Sequence, residues 1–210
     1  MKLTKQTLLV ALLALMLGAC GTPATTRFYT LANPVKAPVI ALSTANSIAI
    51  EVLPINVPER LKRPQLVVSM QGSTQLKILE QDRWSSSFND ELRDAMASGI
   101  ASQLGATDVS RGGRVANQSV YRIAVALRQF DALPGDKVQA NFGWTVTRLA
   151  NSTGPGIEGS LACQASTSQA VGNSMDDIAK GVRAAVEEIV QAISANIRSL
   201  SNGEVGACLN

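Results

Sequence analysis

Cys20, Cys163 and Cys208 are the only thiols of this 210-residue chain, and the chain contains no histidine. A thiol or hydroxyl nucleophile needs a neighbouring base or cation to activate it. Without imidazole there is no histidine base, proton shuttle or metal ligand anywhere in the protein. Ser85-Ser86-Ser87 has no lysine close enough in sequence to take that role. Asp176-Asp177 and Glu187-Glu188 are adjacent carboxylates. Neighbours on a helix diverge by about 100°, so such pairs cannot face each other across a substrate. They read as charge matching at a helix N-terminus and as a solvated face. Gly154-Pro155-Gly156-Ile157-Glu158-Gly159 has the letters of a dinucleotide-binding loop. That loop needs a preceding strand and a following helix, whereas here a turn leads into a strand. A metal would have oxygen ligands alone, and no Asp-rich calcium loop is present. These residues predict no enzyme activity, no metal and no cofactor.

The first thiol has a different context. Lys2 and Lys5 precede an apolar run from Leu8 to Leu17. At about ten residues it is half the length of a helix that crosses a bilayer. Small residues and Cys20 follow, and Leu17-Gly18-Ala19-Cys20 resembles a bacterial lipobox. The resemblance implies that residues 1–19 are a lipoprotein signal peptide and that Cys20 becomes an acylated, palmitate-bearing N-terminus. A secretory signal cleaved without lipidation and a buried helix ending in an ordinary cysteine are the alternatives. Each buried CH₂ contributes about 0.8 kcal/mol, so several acyl chains anchor almost permanently. Gly21 stands where lipoproteins retained in the inner membrane typically carry Asp, which favours the outer membrane, periplasmic face. Residues 20–26 are then the lipidated N-terminus and a short tether, and residues 27–210 a single α+β domain. Fully extended, residues 21–26 reach roughly 20 Å, which keeps the domain beside the bilayer.

The formal charge of +3 includes Lys2 and Lys5. The remainder is nearly neutral and has no run of four basic residues, which argues against a nucleic-acid partner. In an oxidising compartment the remaining thiols, Cys163 and Cys208, suggest a disulfide. Closing a loop of about 45 residues, it would contribute roughly 4 kcal/mol in the chain-entropy model. One buried thiol and one tail thiol is the alternative, because spacing alone does not bring two Cα atoms together.

Periodicity supplies the elements that would position these residues. Phe28 to Leu31 reads as a short strand and residues 32–46 as a loop. Ile48, Ile50 and Val52 share one face of a strand from Ser47 to Leu53. Pro54, Pro58 and Pro64 exclude a central strand or a helix interior. Residues 65–70 and 74–80 flank Gln71-Gly72-Ser73 as a hairpin. Trp84, Phe88, Leu92, Met96, Ile100 and Leu104 recur every fourth residue and predict a helix over 84–104, with Asp90, Glu91, Arg93 and Asp94 off its apolar stripe and Gly105 as its stop. Residues 119–171 read as a three-stranded meander with turns at 133–136 and 151–156. One face carries Tyr121, Ile123, Val125 and Leu127, then Val138, Ala140, Phe142, Trp144 and Val146. Ser174 with Asp177 reads as a capping box opening a last helix. Its apolar stripe is Ile178, Val182, Val186, Ile189, Ile193 and Ile197. The order strands, helix, strands, helix predicts an α+β fold: a mostly antiparallel sheet with two long helices packed on one face. The other face would show small or polar residues, among them Ala124, Ala126 and Thr145.

The stretch from Ile48 to Leu104 resembles the ABC-type transport auxiliary lipoproteins, a PqiC-like family. Phe28-Tyr29-Thr30-Leu31 follows soon after the lipobox. Pro54 and Pro58 come next, then Leu61, Arg63 and Leu66-Val67, and Arg83-Trp84 opens the first helix. This resemblance implies an accessory lipoprotein that contributes to outer-membrane integrity. It would work beside an MCE-domain protein and an inner-membrane transport component that move phospholipids between membranes. It also implies assembly of copies as a homo-oligomer. Phe28, Tyr29, Pro54, Pro58, Leu61 and Arg63 are the candidate partner interface. Proline stiffens a segment and lowers the ordering cost of binding, although a plain crossover between strands accounts for the same residues. An outer-membrane activator or scaffold of a periplasmic synthase or assembly machine is the alternative function; a short tether disfavours it. A carrier holding its own lipid would need a roomy apolar cavity.

Overall fold

A computed structural model describes residues 25–32, 48–113, 118–149, 159–204 and 208. The lipobox with Cys20, residues 33–46 of the expected loop and the expected turn at 151–156 lie outside the described residues. Among the described residues, eight strands and two helices follow in the order β1 (Arg27–Tyr29), β2 (Ile48–Val52), β3 (Gln65–Ser69), β4 (Leu76–Trp84), α1 (Phe88–Leu104), β5 (Thr107–Asp108), β6 (Ser119–Leu133), β7 (Lys137–Arg148), β8 (Ser160–Ala170) and α2 (Met175–Ser201). The fold is α+β as expected, with its strands in two hydrogen-bonded units. Five strands are ordered β5-β2-β6-β7-β8 and three are ordered β1-β4-β3. The hairpins β3–β4, β6–β7 and β7–β8 are antiparallel, while β1 runs parallel to β4 and β2 parallel to both β5 and β6.

The larger sheet follows its alternation. Val138, Ala140, Phe142, Trp144 and Val146 are all buried, as are Tyr121, Ile123, Val125 and Leu127 on β6. The β6–β7 register then slips between Leu127 and Gln129. An extra residue reverses the phase of a strand, so beyond the slip it is Phe130 and Ala132 that turn inward. β2 is covered on both faces, because Ala49 forms a small second cluster with Val109 and Val120.

α2 covers this sheet with its predicted stripe, every member of which is buried. Ser174 Oγ accepts from the Asp177 N–H while the Asp177 carboxylate accepts from the Ser174 N–H, so the capping box forms in full. At Gly181 a Cβ would lie 2.3 Å from Val171 and 3.2 Å from Val138, so glycine is what lets the helix settle this close to β7. Trp144 on β7 donates its indole N–H to Asn196 on α2 across the core, at 2.9 Å.

The first helix begins later than its spacing predicts. Arg83 and Trp84 belong to β4, where they pair with Phe28 and Tyr29 of β1. The Trp84 N–H donates to the Pro64 carbonyl, and the extended backbone of Ser87 marks the helix start. Trp84 stacks on Phe88 at 5.2 Å between ring centroids. A four-residue spacing across a strand–helix junction thus continues the helical pattern without being helical. Gly105 closes α1 in the left-handed conformation, φ 61°.

Candidate functional site

The proline segment continues β2 along the edge of β6. The Leu53 and Asn56 N–H groups donate to the Ile123 and Val125 carbonyls, and the Asn56 carbonyl accepts from Leu127 N–H. Proline cannot supply such donors, so the residues between the prolines carry the pairing. Ile55, Val57 and Leu61 point into the core. A short 3-10 turn, Glu59–Leu61, then leads to β3. The crossover role is therefore present in the fold.

The six residues expected at one interface do not share one surface. Leu61 is core and offers no surface. Pro54 is exposed, and Pro58 and Arg63 are half-buried. Arg63 Nε is out of contact with water and has no hydrogen-bond partner among the described residues. Phe28 and Tyr29 lie instead on β1 of the smaller sheet. Tyr29 donates its hydroxyl proton to the buried Asp82, at 2.9 Å. Burial and that carboxylate together hold the phenol above its ordinary pKa of 10.0.

Two surfaces stand out. The first is an open groove of about 680 Å³ on the larger sheet, on the face away from the helices. Pro54 and Asn56 border it, Ala124, Ala126 and Thr145 line it, and Ala162 and Cys208 stand at the β8 side. Arg128 lies across its floor over Gly143, where a Cβ would come within 2.9 Å of the guanidinium Nε. Cys208 is bonded to Cys163, with the two Cα atoms 5.5 Å apart, which fastens the C-terminal segment to β8.

The second surface is the outer face of β1-β4-β3. Phe28 (66% exposed), Met70 (47%), Leu76 (45%) and Ile78 (42%) are the exposed large apolar side chains among the described residues, and all belong to this sheet or its hairpin turn. Val67 pairs with Ile78 and Ser69 with Leu76, while Leu66 and Val68 on the opposite face are buried. Phe28 pairs with Arg83, next to the inward-facing pair of Tyr29 and Trp84. Phe28, Leu76 and Ile78 therefore share the side that faces away from the core, with Met70 at the hairpin turn.

Between this sheet and α1 sits a carboxylate placed, by its spacing, off the apolar stripe. Glu91 is buried and accepts from Thr30 Oγ1, the Leu31 N–H, Ser85 Oγ and Ser86 Oγ. Burial alone would raise its pKa, but these donors outweigh burial and hold it below its ordinary 4.5. Ser85 and Ser86 thus serve as donors to a fixed anion, while Ser87 donates to Asp90. On β1, Arg27 grips Asp82 through Nε and Nη2 at 2.8 and 2.9 Å, and Arg183 of α2 donates to the Thr30 carbonyl at 2.8 Å. Sequence reasoning misses Glu91 because charge on a helix normally marks a solvated face; the adjacent hydroxyls of Ser85 and Ser86 are the available clue.

The chain matches the family described as the ABC-type transport auxiliary lipoprotein component over residues 29–194. It belongs to that family. The match spans every element from the end of β1 into α2. Among solved structures, an uncharacterized protein is similar at a TM-score of 0.59 and 18% identity, over 82% of this chain and 99% of its own. A Xanthomonas campestris protein is similar at 0.52 and 13% identity, over 85% and 98%. At these identities the likeness is one of fold. No curated protein matches the chain. As a member of a transport auxiliary lipoprotein family, the chain is associated by description with an ABC-type transport system.

Proposed function

We propose that this auxiliary lipoprotein is a non-catalytic subunit of an MCE/ABC-type intermembrane lipid transport system. In this reading residues 1–19 are removed, Cys20 is acylated, and the single domain faces the periplasm from the outer membrane. The family membership carries the proposal, and the lipobox at Leu17-Gly18-Ala19-Cys20 supports it independently. Glu91, a buried carboxylate, has its oxygens committed to donors, a structural use rather than a reactive one. Pro54 and the groove over Gly143 are the proposed contact for protein partners, either the MCE-domain protein or another copy of the chain. A stiff proline edge, a floor of small side chains, and the polar groups of Asn56, Arg128 and Gln164 suit the backbone of an extended peptide segment better than an acyl chain, which offers them no partner.

The test is crosslinking in cells followed by purification. An MCE-domain protein should be captured by the intact protein, and capture should fall with Gly143→Trp, which fills the groove floor. Full envelope integrity in a deletion strain, with no such protein captured, would reject the proposal.

A further inference from the structure

We infer that the outer face of β1-β4-β3 lies against the phospholipid surface beside the anchor and so orients the domain. The inference rests on the anchoring proposed above and adds a second contact with the bilayer. Cys20 and Phe28 are close enough in sequence that the extended chain between them spans at most about 28 Å. The described residues begin at Thr25, two residues before the strand that carries Phe28, the most exposed of the large apolar side chains described. The tether cannot lower any other part of the domain onto the bilayer more readily than β1.

The composition of that face fits the bilayer interface. Phe28 on β1, Leu76 and Ile78 on β4 and Met70 at the hairpin turn are spread over the sheet rather than gathered into a socket for one side chain. An exposed apolar group of this kind in a soluble domain marks a contact site. Lys77 pairs with the buried Val68 and so lies on the other side of β4, which leaves Leu76 and Ile78 adjacent on the outer side. Of the two carboxylates on β4, Asp82 is buried under Arg27, and the exposed Glu80 is paired with Arg83.

The experiment uses the full acylated protein in vesicles of phosphatidylethanolamine and phosphatidylglycerol. Gln75→Cys, exposed in the hairpin, carries an NBD fluorophore and leaves the patch intact; Ser168→Cys on β8 carries it as a control. Doxyl-labelled lipid in the bilayer should quench the probe at 75 and leave the probe at 168 unchanged. Leu76→Asp combined with Ile78→Asp should abolish quenching at 75 while the protein still floats with the vesicles. Flotation without quenching at 75 would leave the anchor standing and overturn the bilayer contact. A blue-shifted but unquenched probe would place another copy or a partner protein on the patch, and would also overturn it. Failure to float would remove the anchor and the contact together.

Discussion

On the five-stranded sheet, Val138, Phe142, Trp144 and Val146 are sealed beneath α2; on the three-stranded sheet, Leu76 and Ile78 stand in solvent. Both sheets are built from hairpins with alternating residues, and both have an inner face that joins one continuous core. They differ in what the second face carries. The larger sheet presents alanine, threonine, glycine and glutamine there, whereas the smaller presents large aliphatic and aromatic groups. The first pattern leaves room for a partner backbone to approach closely. The second spends apolar surface where folding gains nothing from it, which is the mark of a contact made outside the domain.

This contrast can be broken by substitution, and the largest effect should come from the sealed side. Ile193→Ala, at a fully buried position on α2, should cost about 2–5 kcal/mol, read as a fall in the urea midpoint at unchanged m. Replacing Cys163 and Cys208 together by Ala should cost about 2–4 kcal/mol, because the bond closes a separation of 45 residues. A loss well below 1 kcal/mol would mean that the C-terminal segment contributes little to the folded state. Glu91→Gln should cost about 1–3 kcal/mol at neutral pH, since a charged acceptor with four donors becomes a poorer one. Glu91 is held below its ordinary 4.5. Its stabilisation is therefore complete above the unfolded-state value and disappears as pH falls through the lower folded value. Unfolding midpoints measured on either side of that range should show a step in the native protein that the Gln variant lacks. On the open side, Ile78→Thr should change stability by no more than about 0.5 kcal/mol. A larger loss there would mean that the exposed face is structural after all.

The elements with one buried face and one period were legible before the structure was. The β7 alternation, the α2 stripe and the Ser174–Asp177 cap all stand where their spacing put them. What escaped the sequence was relational. A period of two says which residues share a face but not which strand lies alongside, so the parallel pairing of β1 with β4 and of β2 with β6 had no local signal. The slip near Arg128 leaves no composition trace, yet it decides that Phe130 joins the core. Spacing alone assigns Trp84 to the helix because it precedes Phe88 by four residues, a distance that ring stacking across the strand–helix junction also satisfies. The candidate interface was only partly legible for a related reason: proline marks where a chain is stiff, and here stiff residues alternate with core ones such as Ile55 and Leu61. The apolar residues of β4 were visible as a strand, but their exposure depends on the absence of a third layer, which periodicity does not report.

The fastening of β1 has a mechanical consequence. Under the proposed acyl anchor, a tug from the membrane would reach the domain first in that strand. Its three residues are bound to β4 by parallel backbone pairing, to Asp82 through Arg27 and Tyr29, and, just beyond, to Glu91 and Arg183. These bonds join three separate elements, β4, α1 and α2, so a load entering at Thr25 is divided among them rather than peeling one hairpin open.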